Sequence, residues 1–337
     1  MKETVALAPG TRLGSLDYFR GLAIILMLVY DYVPFFTKNP PLIFVHGRTD
    51  MLLFGDLVAP FFLFIMGVSL AVAVSRRRDH GATEKQIFLR VIKRAFILII
   101  AGLIIDDLRA PLFGGTIGFH PTWGILESLG AAYLIAYLLM LLKTKLQIPV
   151  VAAMLAAHLY LLLYSPSFLV YIRSYAHGSP ASILTWSSIT VFGMIAGDRL
   201  VKNTFEYEKY LYQMGGILIV VGSVVGMIYP PRKYLVTSSY ALIAAGCSAI
   251  YFMLLYYLIE TKRVRLIIDN MKPLVEFGGA ALTAWILQYV IAAYFIWYYH
   301  YNERLPLFYG LALSAALIVV VWLVTIGAKR NHLSLRI

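Results

Sequence analysis

SLDYFRGLAIILMLVYDYVPFF (Ser15–Phe36) and GDLVAPFFLFIMG (Gly55–Gly67) decide the fold. Both are long apolar runs without alternation, the pattern of helices that cross a bilayer. Yet they carry charges that such runs should not carry. Asp17 and Arg20 sit at the head of the first run, and Asp31 follows fourteen residues after Asp17. Asp56 opens the second run, ten residues after His46 in the connecting loop. Ionisable groups are costly in hydrocarbon, so each is a candidate functional residue.

The 337-residue chain is 61% hydrophobic and only 14% charged, with a mean hydropathy of +0.78. A soluble domain is roughly 25% charged. The solvent must be lipid, and lipid satisfies no free backbone group, so the spans must be helices or a closed barrel; runs of about 18–25 residues without alternation select helices. The fold class expected is all-α: a polytopic integral membrane protein forming one domain over residues 1–337. Ten spans are predicted, near 17–36, 52–75, 88–106, 122–142, 148–164, 182–200, 210–229, 236–259, 274–299 and 307–328. Tyr and Trp at their ends, such as Trp123, Tyr160, Tyr164, Tyr256 and Tyr257, read as interfacial belts. The first run is too long for a cleavable signal and has no small-residue cleavage site after it.

Lys and Arg set the orientation. With the N-terminus in the cytoplasm, 21 of the 29 Lys and Arg fall on inside segments and 7 on outside segments, with Arg20 within a span. Both termini are therefore expected in the cytoplasm, after an even number of crossings. This asymmetry also accounts for the net charge of +12 without any nucleic acid. The lone Cys247 lies in an apolar run; a small core residue is the simpler reading than a catalytic thiol.

Asp17 and Arg20, three apart, share a helix face and can pair. That pair either pins the helix structurally or meets a ligand. Asp31 and Asp56 belong to the outer ends of their spans. Asp56 in a first turn is also favoured by the helix dipole. His46, with carboxylates at Asp31, Asp50 and Asp56 to orient it, has the makings of a general base. His120, Trp123 and Glu127 form a second outer group at the mouth of the fourth span. On the inner side, Arg90, Lys93 and Arg94 join a basic cluster. Orientation and anionic lipid explain most of it, but Lys93 and Arg94 run deeper than orientation needs, and Arg clusters bind phosphates. No metal-ligand spacing, phosphate loop or nucleophile elbow is present, so no metal is expected.

At these residues the chain resembles a known family. SLDYFRGLAIILM (Ser15–Met27) and DLVAPFFLFIMGVSL (Asp56–Leu70) look like the paired signatures of the heparan-α-glucosaminide N-acetyltransferase family of transmembrane acyltransferases. KRAFILIIAGLII (Lys93–Ile105) and GILESLGAAYL (Gly124–Leu134) are weaker echoes. GGAALTAWILQ (Gly278–Gln288) resembles a motif of related bacterial acyltransferase-type membrane proteins. The resemblance implies a short, prokaryote-type member without the luminal domain, in a prokaryotic cell membrane. It implies acetyl-CoA as co-substrate and an amine or hydroxyl of a sugar or glycolipid acceptor at the outer face. His46 takes the place of the catalytic base, with Asp56 and Asp31 beside it. Asp17, Arg20, Arg90, Lys93 and Arg94 would hold the CoA thioester, and His120, Trp123 and Glu127 the acceptor. The chain departs from the family pattern at Asp31, where Asn is common, and at Glu127–Ser128, where Gln–Arg is common. Membrane lipid is the surrounding partner, and a homodimer is left open. The rival reading is a small-molecule or lipid transporter using the same carboxylates. A lipid-facing structural partner is the third.

Overall fold

The computed structural model describes residues 13–47, 52–109, 123–175, 178–202, 204–270, 272–299 and 304–333. Among them the regular structure is helical: α1 (Gly14–Phe36), α2 (Val58–Asp79), α3 (Glu84–Arg109), α4 (Ile125–Met140), α5 (Thr144–Tyr164), α6 (Pro166–Arg173), α7 (Ile183–Lys202), α8 (Tyr207–Ile228), α9 (Ser238–Tyr256), α10 (Arg265–Asn270), α11 (Lys272–Gly278), α12 (Ala281–Tyr299) and α13 (Leu307–Arg330). Short 3₁₀ turns at Leu42–Phe44, Phe54–Leu57 and Lys233–Leu235 complete the part that matters for function.

Every predicted span coincides with helix, but ten crossings are not reached by length and composition. Seven helices are long and apolar enough to cross a bilayer, or eight if α11 and α12, bent by 81° at their junction, form one broken span. The α3 helix is long but carries many charges along its first half. The α4 helix has only 16 residues. Large apolar side chains of α5, α8 and α13 remain exposed, including Tyr160, Val220 and Leu323. In water such faces would drive aggregation; in lipid they are the outer wall. The protein is a polytopic membrane protein.

The α1 helix is the hub. On one side Phe19 packs against Phe61 of α2 and Tyr251 and Phe252 of α9, with ring centroids 5.2–6.0 Å apart. On the other, Ile24, Leu28 and Phe36 pack with Phe277, Leu317 and Val321 of α11 and α13. A clasp joins the end of α1 to the start of α13: Lys38 N–H donates to Leu305 O (2.7 Å) and Leu305 N–H to Phe36 O (2.9 Å). The α2 and α7 helices approach backbone to backbone. A methyl on Gly193 would overlap the Phe64 backbone, and one on Gly67 the Thr190 carbonyl. Small residues at such contacts let helices associate through dispersion where no hydrophobic drive exists.

Candidate active site

The Phe54–Leu57 turn sets Asp56 at the mouth of α2, 1% exposed. Its Oδ2 accepts the N–H of Gly47 (3.0 Å) and of Leu53 (3.0 Å). The second bond satisfies a donor that the start of a helix leaves orphaned. Through Gly47 the same carboxylate pins the loop that carries His46. The His46 Nδ1 lies 3.3 Å from Asp56 Oδ1. Tyr30 frames the ring from α1, its centroid 5.8 Å away, while its hydroxyl donates to Ile43 O (2.6 Å). A side chain on Gly55 would run into Tyr30, which explains glycine before Asp56. Behind the turn, the Tyr240 hydroxyl of α9 donates to the Asp56 carbonyl (2.6 Å).

A third charged group, not anticipated as a site residue, completes this end. Lys233 is 7% exposed, and its Nζ lies 2.9 Å from His46 Nδ1 and 3.7 Å from Asp56 Oδ1. Burial pushes its ammonium down to about 8, against the opposing pull of Asp56 and Asp31. The turn that carries it is rigidly held. Thr237 Oγ1 accepts from Arg232 N–H, Val236 N–H donates to Lys233 O, and Leu235 packs with Leu162 and Ile172. Val236 itself sits at φ 47°, a left-handed conformation that a β-branched residue adopts only under constraint. Asp31 accepts from Gln288 Nε2 (3.0 Å) and Tyr289 (3.4 Å) of α12, and its charge reaches Lys233.

The opposite end of α1 holds the basic candidates. Arg20 Nη1 bonds Asp17 Oδ1 (3.1 Å), as the three-residue spacing predicted, and Nη2 reaches Ser69 of α2 (3.2 Å). Arg20 and Arg94 line one cavity of about 130 Å³, with Ser69, Met66, Ile65 and Phe62 of α2 and Gly278–Trp285 of the broken span around it. The Arg94 guanidinium lies 4.8 Å from the centroid of the Tyr133 ring, and its buried Nε has no hydrogen-bond partner among the described residues. Arg90 and Lys93 are exposed and do not line this cavity. At about 1.5 Å per residue, Ser69 and Asp56 stand about 20 Å apart along the helix. The edge-to-face pair Phe62–Trp285, ring centroids 6.0 Å apart, is part of its lining.

The predicted group of His120, Trp123 and Glu127 falls between α3 and α4 where it is described. Glu127, 1% exposed, accepts the Gly124 N–H (3.0 Å), and Trp123 Nε1 donates to Ser128 Oγ (2.9 Å). A methyl on Gly124 would touch both the Glu127 and Asp106 carboxylates, so those two acids are neighbours. His120 and Asp50 lie outside the described residues.

Residues 12–230 match the model of the family described as heparan-alpha-glucosaminide N-acetyltransferase, catalytic. The chain belongs to that family. The human heparan-alpha-glucosaminide N-acetyltransferase is 33% identical over 137 residues, covering 40% of this chain and 20% of the human protein. The mouse enzyme of the same name is 30% identical over 131 residues, covering 38% of this chain and 19% of its own length. The match thus spans about one fifth of these curated relatives. Within the heparan-alpha-glucosaminide N-acetyltransferase region fall all the sequence candidates. Lys233 lies just past it. No local pattern marks Lys233: it is one cation in a short loop, 187 residues from the histidine it touches.

Proposed function

We propose that the protein is a membrane-embedded acyltransferase that moves an acetyl group from cytoplasmic acetyl-CoA to an amine or hydroxyl of a sugar or glycolipid at the outer face. The observation that carries this reading is the division of polar groups between two ends of one helix pair. Arg20 and Arg94, with an unsatisfied Nε, suit the phosphates of a CoA thioester, by charge-assisted hydrogen bonds. About 20 Å away, His46 is oriented through Nδ1, which leaves Nε2 to face a substrate. Asp17 would keep Arg20 in place. Arg90 and Lys93 would act at most on the approach of the donor, and Trp123, Glu127 and His120 on the acceptor. The termini would face the cytoplasm.

In this mechanism the acceptor nitrogen or oxygen attacks the thioester carbonyl while Nε2 takes its proton. The carbon–sulfur bond breaks, and the proton passes to the leaving thiolate. A positioned base of this kind is worth about 10²–10⁴-fold. The test uses purified protein, radiolabelled acetyl-CoA and amino-sugar acceptors, with calorimetric titration of CoA. His46→Ala should lower transfer at least 100-fold while leaving CoA affinity intact. Transfer unaffected by His46→Ala would remove the histidine from the mechanism. The broken span α11–α12 favours a second reading, transport, since discontinuous helices line transporter sites. Absence of any CoA binding, with solute flux in liposomes, would select it.

A further inference from the structure

His46 presents a single nitrogen to two partners of opposite charge. Nδ1 is 2.9 Å from Lys233 Nζ and 3.3 Å from Asp56 Oδ1. An ammonium can only donate and a carboxylate can only accept, so Nδ1 cannot satisfy both at once. If Lys233 is charged, Nδ1 accepts from it and the ring proton sits on Nε2. If Lys233 is neutral, Nδ1 can carry the proton and donate it to Asp56. Only the second arrangement leaves a lone pair on Nε2.

We infer that Lys233 sets the tautomer of His46, holding Nε2 protonated while it is an ammonium and freeing Nε2 as a base when it is an amine. The two states differ by one proton. On passing from the first to the second, Nζ hands its proton to Nδ1 and the Nε2 proton leaves to solvent. Lys233 is thus a positioning residue, and its catalytic consequence rests on the reading of His46 as the base.

The surroundings fit such a role. The Lys233 side chain is only 6% exposed, so neighbouring groups stabilise its charge. Those acting on it are Asp56 from the head of α2, Asp31 from α1 and His46 from the loop. Arg232, next to it on the turn, faces Tyr229, 6.0 Å from the ring centroid. Burial brings the Lys233 ammonium down to about 8, so the pair changes state just above neutral pH rather than far outside it. The left-handed Val236 and the Thr237 bonds fix the backbone of the turn that carries Lys233.

The tautomer can be read without substrate. Diethyl pyrocarbonate acylates an imidazole nitrogen that bears a free lone pair, and the His46 side chain is 28% exposed. Modification of the His46 peptide in purified protein is followed by mass spectrometry between pH 5.5 and 9.5. In the wild type the rate should climb with a midpoint near 8, above an ordinary imidazole's midpoint of about 6.5. Lys233→Met should bring the midpoint down from the wild-type value, and Lys233→Arg, never neutral, should keep modification at least 10-fold slower than Met at pH 7.5. A merely structural cation would predict the reverse order, with Arg rescuing and Met failing. A wild-type midpoint near 6.5 overturns the inference even if neither variant folds. The His46→Ala transfer assay separately decides whether His46 is the base, so the two failures are distinguishable.

Discussion

Asp56 shows how one carboxylate can have two duties. It closes the first turn of α2 through Leu53 and ties down the histidine loop through Gly47, while facing the His46 ring. Asp56→Asn keeps the volume but replaces one accepting oxygen with an NH₂ that must confront another donor. Leaving buried donors unpaired costs about 1–3 kcal/mol. A lowered melting temperature in detergent, together with loss of transfer, is the expected outcome; a variant as stable and as active as the wild type would show the charge on the Oδ1 side, facing His46 and Lys233, to be dispensable. Charges stranded in apolar runs made Asp17, Arg20, Asp31 and Asp56 legible in the sequence, because lipid makes every such residue an anomaly. His46 was legible through its neighbours and through resemblance. Lys233 was not, since a loop lysine in a membrane protein is ordinary until a fold buries it.

At the scale of elements, hydropathy placed the helices well because the bilayer imposes their length. It missed what depends on packing between helices. The predicted span 274–299 is two helices meeting at 81° around Gly278–Ala281, and the helix over the predicted third span begins in a charged segment at Glu84. The Gly278–Gly279 pair is the trace of that break in the sequence, and hydropathy averages it away. The α2–α7 contact makes the sharpest demand at this scale. Gly193→Val would drive a branched side chain into the Phe64 backbone, where nothing flexible can yield. Overpacking of this kind costs about 1–3 kcal/mol or more. The expected result is a clear drop in melting temperature, whereas Gly216→Val, where a methyl meets nothing, should leave it nearly unchanged.

For the molecule as a whole, the sequence conveyed an all-helical membrane body with two chemically distinct ends, and the clasp between Phe36 and Leu305 adds its closure. It makes neighbours of the first and last long helices, so that both Gly14 and Arg330 fall at the Arg20 end. No pattern along the chain announces this, because the partners are separated by nearly its whole length.

The edge-to-face pair Phe62–Trp285 has a consequence at this scale. Its Phe62 ring lines the arginine cavity about 9 Å, or six residues, from Asp56 along α2. A cell membrane stores energy as an ion gradient, and a chamber opened from both faces would drain it. Along α2, Phe62 stands between the Ser69 level of the cavity and Asp56. Replacing Phe62 and Trp285 with alanine should turn the protein into a proton leak, read as collapse of an imposed pH gradient in liposomes. If the vesicles with the doubly substituted protein stay as tight as those with the wild type, the seal lies elsewhere.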